Sequence, residues 1–162
     1  MSASQGLTSK IIADLRRHGL TVSTAESCTG GLIGKMLTDP PGSSCCYLGG
    51  IVAYSDTVKI NLLQVDPQVI ADHGAVSAQV ALQMADGARR STGSDIGISC
   101  TGIAGPGGGT ESKPVGLVCM ALSANDDRAV QMLLFKGGRD EVRQSSAIKL
   151  LGMLDEYLEK KG

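Results

Sequence analysis

Apolar residues recur at helical spacing at Leu7, Ile11, Ile12 and Leu15, which predicts an amphipathic helix over 7–18. The pattern then shortens to a strand in "GLTVSTAE", ending at Glu26, where Val22 and the threonines favour extended backbone. "CTGGLIGKMLTD" (28–39) returns to helical spacing and is stopped by "PPGSS". A second strand follows over 46–54, "CYLGGIVAY", and its Gly49-Gly50 pair predicts a bulge or a close backbone approach. Ser55 is placed to cap a short helix through Leu63, and Asp66-Pro67 to open another. A longer helix is predicted over 77–91, then a strand over 95–100. Segments 115–123 and 128–136 flank "ANDD" as a hairpin, and a long helix from Gly138 closes the chain.

Helices alternate with strands through the first two-thirds, and a hairpin follows. That order predicts an α/β fold, a three-layer α/β/α single domain over residues 1–162 with a mixed central sheet. No internal repeat or long linker divides the chain.

Composition narrows the function classes. The 15 basic and 16 acidic residues leave a net charge of −1 and form no basic face. With one Phe, three Tyr and no Trp, the chain has little surface on which bases could stack, so no nucleic-acid partner is expected. The start of the chain lacks the unbroken apolar core of a signal peptide, and no run approaches a bilayer span, so no membrane partner is expected. The five cysteines (28, 45, 46, 100 and 119) lack CxxC or metal-ligand spacing, which predicts no metal and fits reduced thiols in a cytoplasmic protein.

Candidate chemistry concentrates at element ends. Ser27 falls where the first strand gives way to a helix. It reads either as an N-cap or as a nucleophile whose oxyanion is met by the N–H groups of Cys28, Thr29 and Gly30. The histidines offer it little, because His18 and His73 each precede a glycine at a helix end, so no Ser-His-Asp triad is supported. Lys59 is the better partner. If Ser55 caps the helix, Lys59 lies in its first turn, where the dipole and burial would both lower its pKa. The alternative is a solvated helix lysine. Tyr54, at a strand end, could relay a proton. "TGIAGPGGG" (101–109) matches neither GxGxxG nor a Walker A loop, and reads as an anion-binding nest or a plain surface loop. Arg139 and Arg143, four apart, could grip a phosphate or form a solvated face. Cys28 is the competing nucleophile, but no base is evident for it.

"TAESCTGG", "GGIVAYSDTVK", "HGAVS", "TGIAGPGGGTESKPVG" and "GGRDEVR" stand in the order found in the CinA C-terminal family, which the chain resembles over nearly its whole length. Its members include stand-alone nicotinamide-nucleotide amidases and domains fused behind a pyrophosphatase-type domain, for which 162 residues leave no room. The resemblance implies an amidohydrolase that converts nicotinamide mononucleotide and water to nicotinate mononucleotide and ammonia, with no cofactor. A non-catalytic nucleotide-binding module is the alternative. The resemblance makes Ser27 the nucleophile, Lys59 and Tyr54 its activating partners, and Thr101 and Gly102 substrate contacts, with Arg139 or Arg143 near the phosphate. Glu26 belongs to the motif as a further substrate-site residue, yet strand alternation would point it away from Ser27. A homo-oligomer, by family habit a dimer, is also implied. Asp56 stands where the family often has Asn, and Cys45-Cys46-Tyr47 replaces a commoner small-residue-plus-aromatic run; both departures bear on substrate preference.

Overall fold

A computed structural model describes residues 3–162, with side chains from Ser4 onward. In chain order the elements are α1 (Ala3–His18), β1 (Val22–Glu26), α2 (Leu32–Thr38), a single 3-10 turn at Ser43–Cys45, β2 (Tyr47–Val52), α3 (Asp56–Leu63), α4 (Pro67–His73), α5 (Ala78–Thr92), β3 (Ile96–Gly102), β4 (Leu117–Ala124), β5 (Arg128–Leu134) and α6 (Arg139–Glu159). The sheet order is β2-β1-β3-β4-β5. The first three strands are parallel and the last two antiparallel, so the sheet is mixed as expected.

Strand alternation sorts the layers. Val22 of β1, Ile96, Ile98 and Cys100 of β3, and Val118, Met120 and Leu122 of β4 share one face and pack into a core with α1, α2 and α6. The opposite face presents Ala25 to residues of α3 and α5, and Cys119 and Ala121 to Ala81 and Ala85 of α5. With a helical layer on each side, β1 is buried along its whole length, whereas the edge strands β2 and β5 alternate in exposure.

The predicted helix starts form, each with a side-chain cap. Ser55, Asp66 and Ser77 each accept a hydrogen bond from a backbone N–H in the first turn of α3, α4 and α5, and Pro67 occupies the start of α4. Gly49 and Gly50 do both things expected of them. The β1–β2 register shifts between Val22 and Ser23, opposite Tyr47 and Gly49. A Cβ at Gly50 would collide with the Thr24 and Tyr47 hydroxyls, which hydrogen-bond to each other at 2.9 Å.

Two boundaries differ from expectation by four residues. The first helix starts at Ala3 rather than residue 7. More consequentially, α2 begins at Leu32 and not at Cys28, because Gly30 and Gly31 take positive φ (60° and 101°) and keep 27–31 a turn.

The connections fix where a site can form. From β1 the chain crosses by α2 to β2 on one side, then returns by α3, α4 and α5 to β3 on the other side of β1. The C-terminal end of β1 is thus a point where the strand order reverses, and a crevice opens there in open α/β sheets. Ser27 lies at that end.

Candidate active site

Glu26 and Ser27 are neighbours that the strand sends to opposite faces. Ser27 continues the ladder by donating its N–H to the Cys100 carbonyl (2.9 Å), and its side chain turns toward α3. There Lys59 donates from Nζ to Ser27 Oγ at 3.2 Å and to the Ala53 carbonyl at 3.0 Å. Lys59 is 2% exposed and Ser27 8% exposed. Burial lowers the lysine pKa below its ordinary 10.5, opposed by the carboxylate of Asp56, whose Oδ1 lies 3.7 Å from Nζ. A hydroxyl and a partly desolvated amine in contact have the geometry that a nucleophile–base pair requires.

Glu26 has a different task. Its Oε2 accepts from Thr29 Oγ1 (2.7 Å) and from the N–H groups of Gly31 (3.0 Å) and Ile33 (3.1 Å). Its Oε1 accepts from the Gly34 N–H at 2.8 Å. A carboxylate set among four donors at a helix N-terminus is a cap, strengthened by the helix dipole. This geometry corrects the substrate-contact expectation for Glu26, since its oxygens are occupied by the turn at 29–31 and the start of α2. It also narrows the oxyanion donors. The N–H of Gly30 is taken by the Ser27 carbonyl (3.1 Å) and that of Leu32 by the Thr29 carbonyl (3.1 Å), whereas among the described residues no backbone carbonyl takes those of Cys28 and Thr29.

A cleft of about 250 Å³ opens over Ser27. Its walls are Cys28, Tyr54, Arg139 and the loop that starts at Gly102 and runs through Gly108. Arg139 holds the rim together by donating Nη1 to the Gly105 carbonyl (2.7 Å) and Nη2 to Tyr54 Oη (3.0 Å). Tyr54 is 62% exposed and its recorded partner is this arginine, not Ser27 or Lys59. Of the two arginines, Arg139 lines the cleft, while Arg143 donates Nη2 to the Thr29 carbonyl (3.1 Å) and braces the turn from behind. Thr101 points to the α5 face, where its hydroxyl donates to the Ala75 carbonyl (2.9 Å); Gly102, one residue on, lines the cleft. Thr29 and Thr101 are buried, and neither side chain lines the cleft. A hollow of about 350 Å³ between α1, α2 and α6 also contains a lysine, Lys35, but Asp39 pairs with it at 2.7 Å.

Sequence reasoning therefore brought Ser27, Cys28, Lys59, Tyr54, Gly102 and Arg139 to one place. It missed the Ala53 carbonyl, which anchors Lys59, and Cys100, which lies behind Cys28. A parallel pairing of β1 with β3 would have signalled Cys100, because that register sets Glu26 beside it. Among the described residues, no grouping of three or more His, Cys, Asp and Glu could hold a metal ion, and no helix is long and apolar enough to cross a membrane.

Known proteins share this architecture. The model of the CinA C-terminal domain matches residues 4–158. A CinA-like protein of Geobacter sp. strain M21 is 51% identical over 144 residues, covering 89% of this chain and 35% of that protein. A CinA-like protein of Parasynechococcus marenigrum is 46% identical over 159 residues, covering 97% of this chain and 38% of that protein. The chain thus spans little more than a third of these relatives. Among solved structures, the competence/damage inducible protein CihA from Agrobacterium tumefaciens superposes with a TM-score of 0.94 at 42% identity, covering 98% of this chain and 97% of that one. A CinA superfamily protein from Escherichia coli gives 0.92 at 31% identity, covering 96% and 90%. On the matched span, the sequence identity and the shared fold, this chain belongs to the CinA C-terminal domain family.

Proposed function

We propose that this protein is a nicotinamide-nucleotide amidase, hydrolysing nicotinamide mononucleotide to nicotinate mononucleotide and ammonia. The observation that carries the reading is the buried Lys59 Nζ, 3.2 Å from Ser27 Oγ at the floor of an open cleft. The choice of substrate rests on the family resemblance. It is supported by Arg139 on the cleft wall, since a guanidinium has five N–H groups and only two are recorded as engaged.

In this mechanism neutral Lys59 takes the Ser27 proton as Oγ bonds to the carboxamide carbon. The N–H groups of Cys28 and Thr29 receive the oxyanion of the tetrahedral intermediate. Lys59 then passes the proton to the amide nitrogen, the C–N bond breaks and ammonia leaves. Water, deprotonated by the same amine, attacks the acyl-enzyme, and its proton returns to Ser27 as the carboxylate departs.

The deciding measurement is ammonia release from nicotinamide mononucleotide by purified protein beside its Ser27→Ala variant. Turnover in the wild type that falls at least about a thousandfold in the variant is expected, because loss of a nucleophile removes the covalent route. A variant that keeps most of its turnover would transfer the role to Cys28. Tight binding of the mononucleotide without ammonia above the Ser27→Ala background would leave a nucleotide-binding module.

A further inference from the structure

Two thiols meet beside Ser27, and the mechanism above uses neither sulfur. Cys28 lines the cleft, and its Sγ lies 3.6 Å from that of Cys100, which is 0% exposed in β3. The remaining cysteines are elsewhere: Cys45 is exposed at the 3-10 turn, Cys46 leads into β2, and Cys119 faces α5. The two thiols also differ in kind. Cys28, though only 6% exposed, lines the wall of an open cleft, while Cys100 lies directly behind it with no exposure. The hydrogen bond between the two sulfurs and, less strongly, the Arg143 guanidinium favour the Cys28 thiolate; burial and the Glu26 carboxylate oppose this. The same hydrogen bond and full burial push the Cys100 thiol well up. A thiol at a cleft wall, favoured as its thiolate and backed by a second thiol, has the arrangement of a reactive cysteine and its resolving partner.

We propose that Cys28 and Cys100 form a modification site for small hydroperoxides, closing to a disulfide that switches off the neighbouring nucleophile. The Cys28 thiolate attacks one peroxide oxygen, so an S–O bond forms, the O–O bond breaks, and hydroxide (or alkoxide) leaves. Cys100 then attacks the Cys28 sulfur. Its proton accompanies the departing hydroxyl, the S–S bond replaces the S–O bond, and water leaves. The two sulfurs are oxidised and the peroxide is reduced, with the peroxide itself as the only oxidant. Closing the bond draws the sulfurs together by about 1.5 Å. That movement falls on the residue next to Ser27, whose N–H is one of the oxyanion donors, and a displacement of that size there suppresses turnover. The activity readout rests on the amidase reading, whereas the cross-link does not.

The test treats the reduced chain with hydrogen peroxide, blocks free thiols by alkylation and digests without reduction. The expected result is a Cys28–Cys100 cross-linked peptide, a fall in ammonia release of about tenfold or more, and recovery of both on adding a thiol reductant. A Cys45→Ser variant, which removes the exposed competitor, should behave identically. In Cys100→Ala, Cys28 has no partner, so oxidation should run on to the sulfinic acid and the loss should no longer reverse. Cys28 still open to alkylation at peroxide levels that consume Cys45 would overturn the proposal, as would a cross-link joining any other pair. A cross-linked chain with undiminished ammonia release would overturn the switch. If the cross-link forms in a chain that never releases ammonia, the modification site stands and the amidase reading falls.

Discussion

Lys59 does two things that conflict at the scale of a single residue. As a base it must be neutral, so ammonia release should rise with pH along one limb and level off once the amine has lost its proton. That limb reports the folded-state pKa, which burial places below 10.5, with Asp56 holding it up. For stability the same shift is a cost. Because the folded pKa is depressed, the unfolded chain binds the proton more tightly, and at neutral pH folding works against that preference. The cost is full below the folded pKa and fades as pH rises from there toward the unfolded value. Lys59→Met should therefore raise the denaturation midpoint at neutral pH by about 1 kcal/mol or more in stability, while abolishing turnover. Lys59→Arg should also be nearly inactive, since guanidinium keeps the charge and cannot serve as a base. Near-normal ammonia release from Lys59→Arg would show that charge alone matters. Lys59 was legible because helix capping is local: Ser55, four residues earlier, fixed the start of α3 and so the turn on which the lysine sits.

At the scale of elements, α2 shows what local patterning leaves out. Its apolar spacing was visible, but its start was not, because the group that caps it comes from the strand before the turn. Glu26 reaches past Gly30 and Gly31 to meet the N–H groups of Gly31, Ile33 and Gly34. That contact depends on the two positive-φ glycines folding the chain back, which spacing along a line does not encode. Glu26→Gln removes the charge at the helix N-terminus and turns an amide NH2 toward donors that need an acceptor. A loss of about 2–4 kcal/mol in stability is expected, read from the shift in denaturant midpoint at unchanged slope. Turnover should fall as the turn bearing Cys28 and Thr29 loosens, with both substrate binding and chemistry affected. A Glu26→Gln chain of unaltered midpoint but raised KM would return Glu26 to the role of substrate contact.

Over the whole molecule, the site is assembled from element ends that lie far apart in sequence, and Arg139 is the most distant contributor. The pair Arg139 and Arg143 was visible as a candidate phosphate grip, but both share one helix and nothing local separates them. The fold does so by packing α6 across the sheet, so that Arg139 at its start meets Tyr54 and Gly105, while Arg143 a turn later meets Thr29. If Arg139 binds the phosphate of the mononucleotide, Arg139→Ala should raise KM for that substrate about tenfold or more, the loss expected for a charge-assisted hydrogen bond. The unphosphorylated riboside, which offers no phosphate, should be nearly unaffected. Arg143→Ala should instead lower kcat for both substrates together, because the turn it braces carries the oxyanion donors. These two kinetic patterns are distinct, and the riboside comparison separates them. Equal losses for both substrates on removing Arg139 would mean that its work is to hold Tyr54 and the glycine loop in place, and the phosphate would then have to be bound by the backbone N–H groups of residues 102–108.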